Sequence, residues 1–174
     1  DKWAGDFGEK YTERCDVSAD SRITIFNKIF DMIDPIDSAL ECGCNKGHNL
    51  EAITKDNLLM CMMGLEPNKE AIKRSNFPTD IVLGNIYDIP FIDNAFDFVF
   101  TSGVLIHIPA DKLELAMSEM TRASDKYVCM IEYFSENEEG KEYRDFDDKE
   151  GVWSRDYGAI FKSRNPDMKL VTHG

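Results

Sequence analysis

The chain has 174 residues, enough for one domain with a substantial core. Its hydrophobic content of 43% and aromatic content of 11% are those of a globular protein, and no apolar run reaches the roughly 20 residues of a membrane span. With 33 acidic against 20 basic residues the net charge is −13, a surface that repels nucleic-acid backbones; no nucleic-acid partner is expected and, without a spanning run, no membrane partner.

In chain order, the charged, glycine-broken arm 1–20 lacks the pattern of a signal peptide. "SRITIFNKIFDMI" then places Ile23, Phe26, Phe30 and Ile33 at helical spacing, and Pro35 ends the helix. "SALECGC" reads as a short buried strand, followed by a glycine loop and the helical "NLEAIT". "LLMCMMGLE" is an apolar run of strand length, as expected where both sheet faces are covered. "NKEAIKRSN" is helical, "DIVLGNIYDIP" is a strand and loop, and "FDFVFTSGVLI" is a strand. Asp111 is placed to cap "KLELAMSEMTRAS", with Glu114 completing a capping box. "KYVCMIEYF" is a further strand, the acidic run 132–150 a solvated loop, "SRDYGAIFKSRN" a helix, and "MKLVTHG" a final strand.

Strands alternating with helices predict an α/β fold: a Rossmann-like, doubly wound, mostly parallel sheet of six or seven strands flanked by helices. Ligands of such sheets bind beyond the carboxyl ends of the strands, near the topological switch point. Five cysteines and no secretory signal fit a reducing cytoplasm. Cys42, Cys61 and Cys129 fall in strands, where a free thiol acts as a small buried hydrophobe. Cys42 and Cys44 are one residue apart, too close for a zinc pair or a redox pair, and the three histidines have no paired spacing, so no metal is expected.

The loop after the first strand reads Glu41-x-Gly43-x-Asn45-x-Gly47 and opens a helix. Its glycines permit tight turning and close backbone approach to a ligand. About 20 residues on, Glu66 ends the next strand, where nucleotide folds place an acid on the ribose hydroxyls. Asn85 follows the third strand and could read an adenine edge. Ser102, Gly103 and His107 follow the fourth.

"LECGCNKG", "GLEPN", "GNIYDIPF", "FDFVFTSGVLIHI" and "KYVCMIEYF" resemble the successive motifs of class I S-adenosylmethionine-dependent methyltransferases. Together with "WAGDFGEKYTER" and "YRDFDDKEGVWSRDYG" they are most similar to the group called pseudaminic-acid-biosynthesis-associated methylases. The resemblance covers nearly the whole chain and implies S-adenosylmethionine as cofactor and S-adenosylhomocysteine as product. Glu41, Gly43, Asn45 and Gly47 would then lie under the methionyl part, and Glu66 with Pro67 at the ribose. Asn85 and Ile86 would meet the adenine; Thr101, Ser102 and Gly103 would lie near the sulfonium. Asn45 departs from the usual second glycine, but a small polar side chain tolerates the left-handed region. The class usually ends its sheet with an antiparallel hairpin, so a chain whose last strand is "MKLVTHG" would lack the seventh strand. Its edge would be open to a second copy, and a monomer or homodimer is expected.

Methyl transfer is an in-line displacement in which the protein's work is alignment, worth roughly 7–11 kcal/mol. His107 is the candidate base, its ordinary pKa of about 6.5 suited to neutrality, with Glu132 and Tyr133 as further catalytic candidates. The arm is expected to close over the cofactor through Trp3, Phe7 and Tyr11, hinged at Gly5 and Gly8, with Arg14 on the cofactor carboxylate. A small polar acceptor, in particular an acidic sugar or sugar nucleotide, is expected to meet Tyr11, His107 and Tyr133, and Arg144, Trp153 and Arg155 of a substrate-side insertion at 132–158. Two other readings share the sheet: a nicotinamide-dependent oxidoreductase, which would want Gly-x-Gly-x-x-Gly, and a homologue that binds cofactor without turnover.

Overall fold

The computed structural model describes residues 2–15, 18–56, 60–76, 80–137, 139–141 and 152–173. Helix α1 (Asp6–Arg14) follows a 3-10 turn at Lys2–Ala4, and α2 (Asp20–Phe30) precedes strand β1 (Ser38–Cys42). Then come α3 (His48–Asp56), β2 (Cys61–Glu66), α4 (Lys69–Lys73), β3 (Asp80–Leu83) and β4 (Phe96–Ser102). A 3-10 turn at Leu105–His107 leads into α5 (Ala110–Ala123) and β5 (Ser124–Ile131). The short strands β6 (Glu139–Lys141) and β7 (Val152–Ser154) pair antiparallel apart from the main sheet, and α6 (Tyr157–Arg164) follows.

The main sheet has the order β3-β2-β1-β4-β5 with every pairing parallel. Period-two alternation divides its side chains between two cores. Ala39, Phe98 and Phe100 pack with Phe26 of α2 and with Leu50 and Ile53 of α3 on one face. Leu40, Cys42 and Val99 pack with Leu113, Met117 and Met120 of α5 and Tyr157 and Phe161 of α6 on the other. Phe26 meets Phe100 edge-on at 5.3 Å and Phe30 meets Phe98 at 5.6 Å. Full burial of one such ring contributes about 1.5–3 kcal/mol.

The architecture is the doubly wound α/β sheet the sequence predicts, with five strands rather than six or seven. The segment 168–173 is not a strand. The Lys162 ammonium donates to the carbonyls of Pro166 and Met168 and ties the chain to the end of α6, while Leu170 and Val171 stay exposed. Asp111 is not a cap either: α5 starts at Ala110, two residues before the expected Lys112, and Pro109 holds the N-cap position, so Asp111 lies inside the first turn. Of the strand cysteines, Cys61 is exposed because it opens β2 at the rim, and Cys129 is only partly covered on the edge strand β5. Cys44 is buried, its Sγ occupying the space that a Cβ on Gly64 would need.

The chain leaves β1 toward β2 on one side and returns through β4 on the other. The switch point therefore lies between β1 and β4, and a cleft of about 540 Å³ opens there, over the carboxyl ends of the strands.

Candidate active site

The first wall of the cleft is the loop after β1. Gly43, Asn45 and Gly47 all have left-handed backbones, with φ of 78°, 49° and 83°. Glycine meets this demand without strain, and asparagine is among the few other residues that do so readily. The turn is tied to β2: the Gly43 and Cys44 N–H groups donate to the Leu65 carbonyl at 2.7 and 3.2 Å, and the Asn45 N–H donates to Glu66 Oε2 at 2.8 Å. Gly47 lies behind the wall, where its carbonyl starts α3 by accepting from the Glu51 N–H.

Two carboxyl groups face each other across this loop. Glu41 is buried in β1; its Oε1 accepts from Asn49 Nδ2 at 2.6 Å, and its Oε2 has no partner among the described residues. Burial pushes its carboxyl up to about 8, against the opposing hydrogen bond of Asn49; Glu66 raises it further and the charge of Arg22 opposes. Glu66 also has its carboxyl raised by burial, against the pull of the Asn68 and Asn45 N–H groups, which it accepts at 2.9 and 2.8 Å. The amide oxygen of Asn45 is a second buried acceptor without a partner among the described residues. Unpartnered buried acceptors are costly, and their presence on a cleft wall points to a ligand that donates.

The loop after β3 forms the next wall. Asn85 Oδ1 accepts from the Tyr87 N–H at 2.9 Å, an Asx turn that presents Ile86 and Tyr87 to the cleft. The Lys112 ammonium lies 5.6 Å from the centre of the Tyr87 ring.

The opposite end is aromatic. The Trp3 ring sits 4.7 Å from that of His107 and 5.2 Å from that of Tyr11, and Tyr11 and His107 are 6.2 Å apart. Phe7 braces Trp3 edge-on at 4.9 Å from outside the cleft lining. Under this cluster His107 is held down at about 4, mainly by burial and then by the charge of Lys2. It is therefore neutral near pH 7 but a far weaker base than the 6.5 of a solvated imidazole suggests.

Of the residues singled out from the sequence, Trp3, Tyr11, Glu41, Gly43, Asn45, Glu66, Pro67, Asn85, Ile86, Ser102, Gly103 and His107 meet at one cleft. Arg14 is exposed and does not line it. Thr101 is buried behind it. Glu132, Trp153 and Arg155 lie outside the lining, and Tyr133 is 62% exposed. Arg144 lies outside the described residues. Lys2, Arg22, Asn49, Tyr87 and Lys112 line the cleft without having been singled out. Asn49 could have been found, since the first turn of a helix after a tight loop returns beside the strand end. Arg22 carries no such signal.

The model of a family described as the methyltransferase domain matches residues 40–126, half of the chain. A candidate methyltransferase of Encephalitozoon cuniculi is 28% identical over 137 residues, 77% of this chain; the chain spans 61% of that relative's length. Among solved structures, the complex of the Haloferax volcanii Trm112 methyltransferase activator with its candidate methyltransferase matches 95% of this chain and 73% of its own, with a TM-score of 0.65 at 18% identity. A SAM-dependent methyltransferase of Archaeoglobus fulgidus matches 71% of this chain and 57% of its own, with a TM-score of 0.57 at 18% identity. The YcgJ protein of Bacillus subtilis matches 83% and 67%, with a TM-score of 0.62 at 15% identity. The chain belongs to the methyltransferase-domain family and has the fold of S-adenosylmethionine-dependent methyltransferases.

Proposed function

We propose that this protein transfers a methyl group from S-adenosylmethionine to an oxygen or nitrogen of a small polar acceptor carrying an anionic group, an acidic sugar or sugar nucleotide being the leading class. The observation that carries the reading is the pair of unpartnered buried acceptors, Glu41 Oε2 and Asn45 Oδ1, on a switch-point cleft that also holds Glu66.

These features fit the cofactor. Its α-ammonium would satisfy Glu41 and Asn45, and its carboxylate would be met by Arg22 rather than Arg14. Each Glu66 oxygen accepts one backbone N–H and retains a lone pair for a ribose hydroxyl. The Asn85 amide nitrogen and the Ile86 backbone would meet the adenine, while the Asn85 oxygen remains occupied by Tyr87. When bound, the cofactor supplies an activated methyl group; the chain supplies alignment and exclusion of water. Trp3 and Tyr11 would shut the acceptor end from solvent. His107 would accept a proton from an acceptor hydroxyl only once the acceptor displaces Trp3 from its ring.

The anionic preference rests on Lys2, whose charge acts on His107 at that end of the cleft. The resemblance to pseudaminic-acid-associated methylases supports the same class. A turnover screen that detects S-adenosylhomocysteine tests it. Acidic amino sugars should give product and their neutral analogues little, with Lys2→Ala erasing the difference. Silence across the acidic panel, or equal turnover of neutral sugars, would contradict it.

A further inference from the structure

The turn between β4 and α5 is held from behind by side chains that follow β5 and β7. Its front makes two contacts that shape the cleft. The Cγ2 of Val104 presses on Gly43, where an added Cβ would stand 2.7 Å away. The ring of His107 lies under Trp3. Its back is gripped at both ends. Glu132, the first residue after β5, accepts from the Val104 N–H at 3.2 Å and the Ile106 N–H at 3.3 Å, with the Leu105 N–H between them as a third contact. Arg155, buried beside β7, donates from Nη1 to the Ile108 carbonyl at 2.8 Å, and its guanidinium stacks 5.0 Å over Trp153. The Arg155 N–H also reaches the Tyr133 carbonyl at 3.3 Å, so the end of β5 and the β6–β7 hairpin are joined behind the same turn.

We infer that Glu132 and Arg155 are positioning residues, which clamp the 104–108 turn from behind so that Val104 closes on the Gly43 loop and His107 seats beneath Trp3. A carboxylate that accepts several N–H groups of one turn fixes that turn as a unit, because no single bond can open without loosening its neighbours. A guanidinium bound to the carbonyl at the far end prevents the turn from sliding. Neither side chain touches the cleft, so neither is a catalytic residue. The hairpin that sequence reasoning gave to acceptor contact thus acts on the cleft through backbone. The clamp deepens the proposed function but does not depend on it, since its first readout needs no cofactor.

The test is the titration of the His107 ring, followed by NMR in the intact chain, for Glu132→Gln and separately for Arg155→Lys. Lys2, Trp3 and Tyr11 face that ring. Loss of the clamp should uncover the imidazole, and its midpoint should climb from near 4 toward 6.5. Removing a negative charge at Glu132 could only lower the midpoint, so a rise reports position and not field. S-adenosylhomocysteine affinity should fall alongside, because Val104 no longer holds the Gly43 loop in place. If affinity is absent in the parent chain while the midpoint still climbs, the clamp stands and the cofactor reading falls. An unchanged midpoint in a folded variant overturns the clamp. Should Glu132→Gln not fold, Arg155→Lys carries the test; failure of both to fold assigns the two residues to the core and also overturns it.

Discussion

Glu41 couples the stability of the fold to pH. Its carboxyl is raised to about 8 when folded and returns to about 4.5 when unfolded. Its contribution to stability is therefore complete below pH 4.5 and is lost as pH rises to 8. His107 has the opposite sign: held at about 4 and released to 6.5 on unfolding, it contributes fully above 6.5 and loses that contribution as pH falls. Between pH 6.5 and 8 the histidine is silent. Glu41 should then cost the fold about 2 kcal/mol across that window, and Glu66 and Glu132, also raised by burial, act in the same direction. The melting temperature should drop from pH 6.5 to 8, and Glu41→Gln should flatten much of that drop. A variant with the parent's slope would show that Glu41 ionises freely. Asn45 is a second residue whose character was legible in advance: its tolerance of positive φ follows from its chemistry. That its side chain would be left without a partner does not, because this depends on where Asn49 and Glu66 point.

At the scale of elements, the arm is decided by one close approach. A Cβ on Gly8 would lie 2.0 Å from the Trp3 carbonyl oxygen and 2.4 Å from Asn68 Nδ2, whereas one on Gly5 would meet nothing nearer than 4.0 Å. Gly8 is a packing contact, not the hinge its composition suggested. Beyond it the arm is held by the ring contacts of Trp3 and by the exposed Glu13–Arg74 ion pair, worth at most about 1 kcal/mol. Gly8→Ala should therefore lift the arm from the cleft while leaving the sheet intact. Tryptophan emission should shift to the red and S-adenosylhomocysteine should bind more weakly, at nearly unchanged melting temperature. Parent-like emission and affinity would contradict the seating of the arm on Gly8. The strands and long helices were readable because their apolar periods are strong. The clamp by Glu132 and Arg155 was not, since no spacing tells which N–H groups a carboxylate at a strand end will meet once β4 and β5 lie side by side. The final segment misled because an apolar run alone does not form a strand when Lys162 ties it elsewhere.

At the scale of the molecule, topology does most of the work. A sheet ordered β3-β2-β1-β4-β5 gathers the loops after β1, β2, β3 and β4, from Gly43 to Pro109, around one switch-point cleft. The sequence order of the glycine loop, Glu66, Asn85 and His107 made that gathering legible. The acidic surface did not reveal that Lys2, Arg22 and Lys112 line the cleft, because net charge carries no information on where the few cations go. The central claim is that this cleft holds an adenosyl cofactor through Glu66 and the Gly43 loop. Calorimetry with S-adenosylhomocysteine and with NAD, on the parent chain and on Glu66→Ala, tests it most directly. One molecule of S-adenosylhomocysteine should bind per chain, NAD should not bind, and the variant should lose about tenfold or more in affinity. Binding of NAD as tight as that of S-adenosylhomocysteine, or an affinity untouched by Glu66→Ala, would contradict it.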